Sequence, residues 1–208
     1  MGATTEPIIA VKNIKKLLSY LMRYENTRDG MLFLMIMNAL LRISDALTIK
    51  YGDVFDENRQ PRGYFTIVES KPKKLRNNRT ARKIKLPKTY LAELTAYADD
   101  LEMVAEDYLF YSSKHPERAM SRKTAWAVFD RAAKACKIEF LGCHGIRKTG
   151  ATQMRLNGVP IRVIQKMLGH TTERQTMEYI GMAQEEIDEA IAKMDFSILK
   201  YQQEQEDD

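Results

Sequence analysis

Cysteine is scarce in this chain. Its 208 residues include two cysteines, Cys136 and Cys143, with no CxxC spacing. That excludes a disulfide-stapled scaffold and a thiolate metal cluster, and points to a reduced, cytoplasmic protein. Histidine is nearly as rare: His115, His144 and His170 are scattered, with no metal-ligand spacing, so no metal and no cofactor is expected. Long apolar runs are also missing. The longest, over 31–41, is interrupted by Asn38 and stopped by Arg42, far short of the roughly 20 residues that cross a bilayer. The N-terminus lacks a signal-peptide layout, and no internal repeat or domain linker divides the chain.

What is present is a basic, well-solvated body. Lys and Arg number 33 against 28 acids, and the closing YQQEQEDD is acidic without a base, so the remainder is more basic than the net +5 suggests. Such a balance points to a polyanionic partner, most often nucleic acid. Apolar residues at 44% suffice for a core.

Periodicity predicts one mainly α domain with a small antiparallel β-sheet, an α+β fold. Residues 11–24 read as an amphipathic helix, with Ile14, Leu17, Leu18, Leu21 and Met22 on one face. Asn26 or Thr27 caps a second helix running to about Leu41, apolar nearly all round and therefore central. A short helix is expected over 43–49. Residues 63–69 and 82–86 read as a hairpin, joined by the basic stretch SKPKKLRNNRTA. Further helices are expected over 89–99, from Ser121 to about Cys136, over 144–157, over 159–168 up to Gly169, through Tyr179, and over 184–193. The chain thus divides into a flexible lead over 1–10, a domain with a C-terminal tail over 11–201, and an acidic disordered end over 202–208.

The chemistry concentrates between Cys143 and Ile180. His144 and Arg147 form a His-x-x-Arg pair, His170 follows that arginine by 23 residues, and Tyr179 comes 9 later. Two imidazoles, a guanidinium and a phenol are what phosphodiester cleavage without a metal requires. The extra negative charge on the non-bridging oxygens suits arginine, which is planar, always protonated and able to donate two parallel hydrogen bonds. A second arginine, Arg42, lies in LLRISDAL, with Asp45 three residues on to fix its plane. Each group alone reads equally as ordinary: a surface ion pair for Arg42 and Asp45, a helix-end cap for His170, a half-buried aromatic for Tyr179. Their force is joint.

Taken together, LLRISDALTIKYGDV, HGIRKTGAT, VIQKMLGH and TMEYI make the chain resemble the catalytic domain of the tyrosine recombinases, the phage integrase family, over about residues 10–182. The resemblance implies an enzyme for DNA integration and recombination that cleaves and rejoins DNA through a 3′-phosphotyrosyl intermediate, with neither metal nor ATP. It makes Tyr179 the nucleophile and Arg42 and Arg147 the holders of the non-bridging oxygens, with Asp45 orienting Arg42. His144 assists proton transfer at the tyrosine, and His170 donates to the phosphate. It also places a general-acid lysine on the hairpin turn. Lys71 matches best there, with Lys73 and Lys74 as rivals, while Arg76, Arg79 and Arg82 are read as DNA-backbone contacts. Two positions depart from the family pattern: Leu40, where relatives often carry Gly, and Lys148, where His is usual; Lys148 is counted among the DNA contacts. The partners implied are double-stranded DNA attachment sites, accessory DNA-bending proteins and further copies of the chain, monomeric in free solution and tetrameric on two sites. The apolar residues Ile187, Ile191, Met194, Phe196, Ile198 and Leu199 pack either on a neighbouring copy or on their own domain. Two other readings stay open: a type IB topoisomerase-like enzyme, and a DNA-binding regulator of the same fold without activity.

Overall fold

A computed structural model describes residues 6–68, 81–139 and 142–181. The expected helix over 184–193, the apolar tail and the acidic end lie outside the described residues, as does most of the hairpin connection.

The fold is mainly helical with a two-stranded antiparallel sheet. Helix α1 (Val11–Tyr20) turns its Leu17 inward and continues as a wider π-type turn over Leu21–Glu25. Helix α2 (Thr27–Ala39) begins where the Asn26 side chain accepts from the Arg28 N–H at 2.9 Å. Its Leu32, Phe33, Met35 and Ile36 are fully buried, so α2 is the axle that the apolar run predicted. Each such side chain stabilises the fold by about 1.5–3 kcal/mol. Around α2 lie α5 (Lys88–Asp100), α6 (Arg122–Ala135) and α7 (Gly142–Leu156). Phe33 meets Phe129 of α6 at 6.4 Å between ring centroids.

Two short helices, α3 (Ile43–Ala46) and α4 (Tyr51–Val54), follow α2; the second was not anticipated. Strands β1 (Phe65–Val68) and β2 (Ala81–Ile84) pair with Phe65 opposite Ile84 and Ile67 opposite Arg82. Phe65, Ile67 and Ile84 are buried, so this face of the hairpin turns inward. Helices α8 (Ile161–Leu168) and α9 (Glu173–Ile180) complete the described chain. No helix among the described residues is long and apolar enough to cross a membrane.

Local packing positions the site at three places. At the first, α7 runs against the end of α2 at Gly150. A Cβ there would fall 2.5 Å from the Met37 carbonyl oxygen, so only glycine permits this approach. At the second, α2 ends on Leu40 in the left-handed region (φ 49°), although Leu pays about 1–2 kcal/mol to adopt it. Its side chain is fully buried in a second, smaller apolar cluster with Ala151, Ile164, Leu168 and Ile180, which offsets the strain. At the third, part of the expected flexible lead is packed. Ile8 is buried, its N–H donates to the Thr149 hydroxyl at 2.9 Å, and Gln153 donates to the Ile8 and Ile9 carbonyls.

One buried ion pair is invisible to the sequence patterns. Arg28 and Asp29 sit 2.8 Å apart at the start of α2, and Arg28 also donates to the Tyr111 carbonyl and the Ser113 hydroxyl. The pair ties the core helix to the loop before α6. Burial pushes the Asp29 carboxyl up, against the pull of Arg28.

Candidate active site

The second apolar cluster is the floor of the site. The left-handed corner at Leu40 turns the chain out of α2 and delivers Arg42, in extended geometry (φ −68°, ψ 146°), as the residue before α3. Arg42 is half-buried, and its carbonyl accepts from the Asp45 N–H at 2.9 Å. Asp45 is buried, and one of its carboxylate oxygens accepts from the Ser44 hydroxyl at 3.3 Å.

The first turns of α7 carry His144, partly open to solvent and partly covered by the site, and Arg147, buried. The Arg147 Nε donates to the Leu40 carbonyl and a terminal nitrogen to the Leu168 carbonyl, both at 2.7 Å. These are carbonyls at helix C-terminal ends, which lack intrahelical partners and favour a cation. The guanidinium is thus fixed between α2 and α8.

Gly169, at φ 66°, closes α8 and turns the chain so that His170 points into the site. The His170 Nδ1 lies 3.1 Å from the Thr176 hydroxyl of α9, which fixes the ring. Helix α9 starts at Thr172, whose side chain accepts from the Gln175 N–H, and places Tyr179 in its last turn.

These elements bring His144, Arg147, His170 and Tyr179 together. The Tyr179 ring stands edge-on to both imidazoles, each centroid 5.1 Å away, and the Arg147 guanidinium carbon is 6.0 Å from the ring centre. The Tyr179 hydroxyl is buried and has no hydrogen-bond partner among the described residues. Burial pushes its pKa up to about 12, although Arg147 and Arg42 pull it down. His144 is held below the ordinary imidazole range by loss of solvent, then by the charges of Arg147, Arg42 and Lys148. Its neutral form therefore prevails at neutral pH, ready to accept a proton. Burial pushes the neighbouring Cys143 thiol up to about 11, so it carries little thiolate.

Arg42, His144 and Arg147 also line a cleft of about 690 Å³. Its other wall is the start of α6, with Arg122, Lys123 and the exposed Trp126. None of these three stood out in the sequence. A dibasic pair directly after the Ser121 cap, one turn before the only tryptophan, was the available signal. Only the packing of α6 on α7 connects them to the site.

The remaining candidates are placed differently. Lys148 lies 3.6 Å from Glu6. Arg82 is half-buried, with its guanidinium donating to the Met167 and Ala39 carbonyls. Lys71, Lys73, Lys74, Arg76 and Arg79 lie outside the described residues.

The profile of the Phage integrase family matches residues 8–186. The probable integrase/recombinase YoeC of Bacillus subtilis (strain 168) is 32% identical over 177 residues, covering 85% of this chain and 90% of YoeC. The tyrosine recombinase XerA of Pyrococcus furiosus is 27% identical over 185 residues, covering 88% of this chain and 59% of XerA. The chain therefore spans about three fifths of that relative's length. Among solved structures, the XerH site-specific recombinase bound to its palindromic difH substrate in a post-cleavage complex superposes with a TM-score of 0.70 at 20% identity. That match covers 92% of this chain and 54% of XerH, and it speaks for the fold.

Proposed function

The chain belongs to the phage integrase family, and on that premise we propose that it is a site-specific DNA recombinase working through a 3′-phosphotyrosyl intermediate. One observation carries the reading: a buried phenol without a hydrogen-bond partner among the described residues stands between two imidazoles, beside a guanidinium fixed by two helix ends. Most buried hydroxyls are hydrogen-bonded. The buried Tyr51 hydroxyl also lacks a partner among the described residues, so what distinguishes Tyr179 is the pair of imidazoles and the guanidinium around it.

In the proposed reaction the Tyr179 oxygen attacks the scissile phosphorus and the bond to the 5′ oxygen breaks. The 3′ phosphate stays on the protein, and a free 5′-hydroxyl leaves. His144, kept neutral by lost solvent and the cations around it, accepts the phenolic proton. A phenol pushed up to about 12 is a poor nucleophile on its own, so the substrate must supply activation. Arg42 and Arg147 do so by neutralising the non-bridging oxygens, each contributing about 3–4 kcal/mol if it behaves like other preorganised donors to a developing oxyanion. His170, its Nδ1 held by Thr176, offers its other nitrogen to the same phosphate. A hairpin lysine, with Lys71 favoured over Lys73 and Lys74, would protonate the leaving oxygen. The covalent link conserves the phosphodiester energy, so an incoming 5′-hydroxyl reseals the strand with neither ATP nor a metal.

Double-stranded DNA is the proposed partner, lying in the cleft between α6 and α7 with Arg122 and Lys123 on one side and Arg42 and Arg147 on the other. Residues 11–201 would act as one catalytic unit, assembling as a tetramer across two attachment sites.

The test uses nicked duplexes taken from the DNA flanking the encoding gene. Supporting results are a denaturation-resistant protein–DNA adduct, abolished in Tyr179→Phe, and exchange of strands between two duplexes. An adduct undiminished in Tyr179→Phe contradicts the reading.

A further inference from the structure

The ends of α2 and α8 meet beneath the site, and each exposes carbonyls that no helical N–H can reach. In α8 the backbone satisfies part of the set: the Gly169 N–H donates to the Lys166 carbonyl and the His170 N–H to the Gln165 carbonyl. Met167 and Leu168 remain, and each is taken by an arginine from elsewhere. Arg147 of α7 bridges Leu168 to Leu40. Arg82 of β2 bridges Met167 to Ala39. Two guanidinium groups therefore span successive carbonyls of the same two helix ends.

The strand register explains how a hairpin arginine comes to be there. Arg82 lies opposite Ile67, and Phe65 opposite Ile84, so all four side chains share the inward face. Arg82 is the polar member of an otherwise apolar row, aimed at helix ends whose negative partial charge suits it.

We infer that Arg82 is a positioning residue for Arg147: by holding the Ala39 and Met167 carbonyls together, it fixes the spacing of the Leu40 and Leu168 carbonyls that set the guanidinium plane of Arg147. The inference rests on the proposed reaction, in which Arg147 holds the scissile phosphate. It withdraws Arg82 from the residues that track the DNA backbone. Arg82 touches no reacting atom; it acts on the chemistry only through the carbonyl platform.

The experiment compares wild type, Arg82→Ala and Arg82→Lys on two versions of the nicked duplex from the DNA flanking the encoding gene. One carries an ordinary scissile phosphate. The other carries a methylphosphonate, in which a methyl group replaces one non-bridging oxygen and removes the charge that Arg147 would neutralise. Arg82→Ala is expected to slow adduct formation about tenfold on the phosphate and less than about twofold on the methylphosphonate, with DNA binding keeping its salt dependence. Arg82→Lys, which keeps a cation at the helix ends, is expected to recover part of the rate.

Three results overturn the inference. A fall of about one in the slope of log affinity against log salt would make Arg82 a phosphate contact. An equal deficit on both substrates would make its role one of general stability. No deficit on the phosphate would leave it without a role in the reaction. If wild type itself forms no Tyr179-dependent adduct, the proposed function fails and takes this inference with it. If wild type forms the adduct and any of the three results appears, this inference alone fails.

Discussion

Tyr179 and His144 meet edge to face, their ring planes at 87° and their centroids 5.1 Å apart, although they come from the last turn of α9 and the first turns of α7. The contact places a neutral imidazole against a phenol whose hydroxyl lacks a partner among the described residues. It makes reactivity and stability separable at Tyr179.

Tyr179→Phe removes an unsatisfied buried hydroxyl and keeps the ring between the two imidazoles. The variant should be as stable as wild type or up to about 1 kcal/mol more stable, because the desolvation of that hydroxyl is unrepaid in the folded state. Covalent DNA capture should vanish. Urea unfolding beside an adduct gel checks both; a marked loss of stability would mean that the hydroxyl is bonded within the fold.

The seating of α7 on α2 depends on Gly150. Alanine there places a methyl group 2.5 Å from the Met37 carbonyl oxygen and 2.8 Å from a Leu40 methyl. Backbone cannot yield as a side chain end can, so Gly150→Ala should cost about 1–3 kcal/mol in urea unfolding. It should also slow cleavage, because the shift moves Arg147 relative to Arg42. An unchanged unfolding midpoint would contradict the packing described.

Leu40 sets two effects against each other. Leu40→Gly relieves left-handed strain worth about 1–2 kcal/mol but empties a fully buried site, which costs about 2–5 kcal/mol. Burial wins, and a net destabilisation of roughly 1–3 kcal/mol is expected. A more stable glycine variant would show that strain dominates at this corner.

His144 should titrate below the ordinary imidazole range in the DNA-free protein, since lost solvent and the charges of Arg147, Arg42 and Lys148 all disfavour its cation. The contribution proposed for it as a base should therefore be retained on mild acidification and lost only when pH falls through the depressed value. NMR titration of the three histidines checks this, and Arg147→Ala should move the His144 midpoint upward. A midpoint above the ordinary range would contradict the neutral base.

The parts of the site legible in the sequence were those written as spacing. His144 and Arg147 share a helix face because i and i+3 do, and Gly169 marks the end that aims His170. Arg42 could be named from its family-like setting, but the left-handed corner that presents it could not, because Leu is an improbable residue for that backbone. Arg82 was read as a contact to the DNA backbone, whereas its guanidinium donates to the Met167 and Ala39 carbonyls. Its alternation with Ile84 and Leu86 pointed inward, yet the surrounding charge of the hairpin obscured the period. The cleft wall of Arg122, Lys123 and Trp126 depends on a helix–helix contact that no local pattern records. The buried Arg28–Asp29 pair likewise needs the loop carrying Tyr111 and Ser113 to make sense.

The central claim is that a single phenol among the ten tyrosines of this chain takes the phosphate. Peptide mapping of the covalent adduct by mass spectrometry tests it most directly. A phosphonucleotide on the peptide containing Tyr179, absent when both Arg42 and Arg147 are replaced by alanine, is the predicted result. A phosphonucleotide on any other residue would contradict the account.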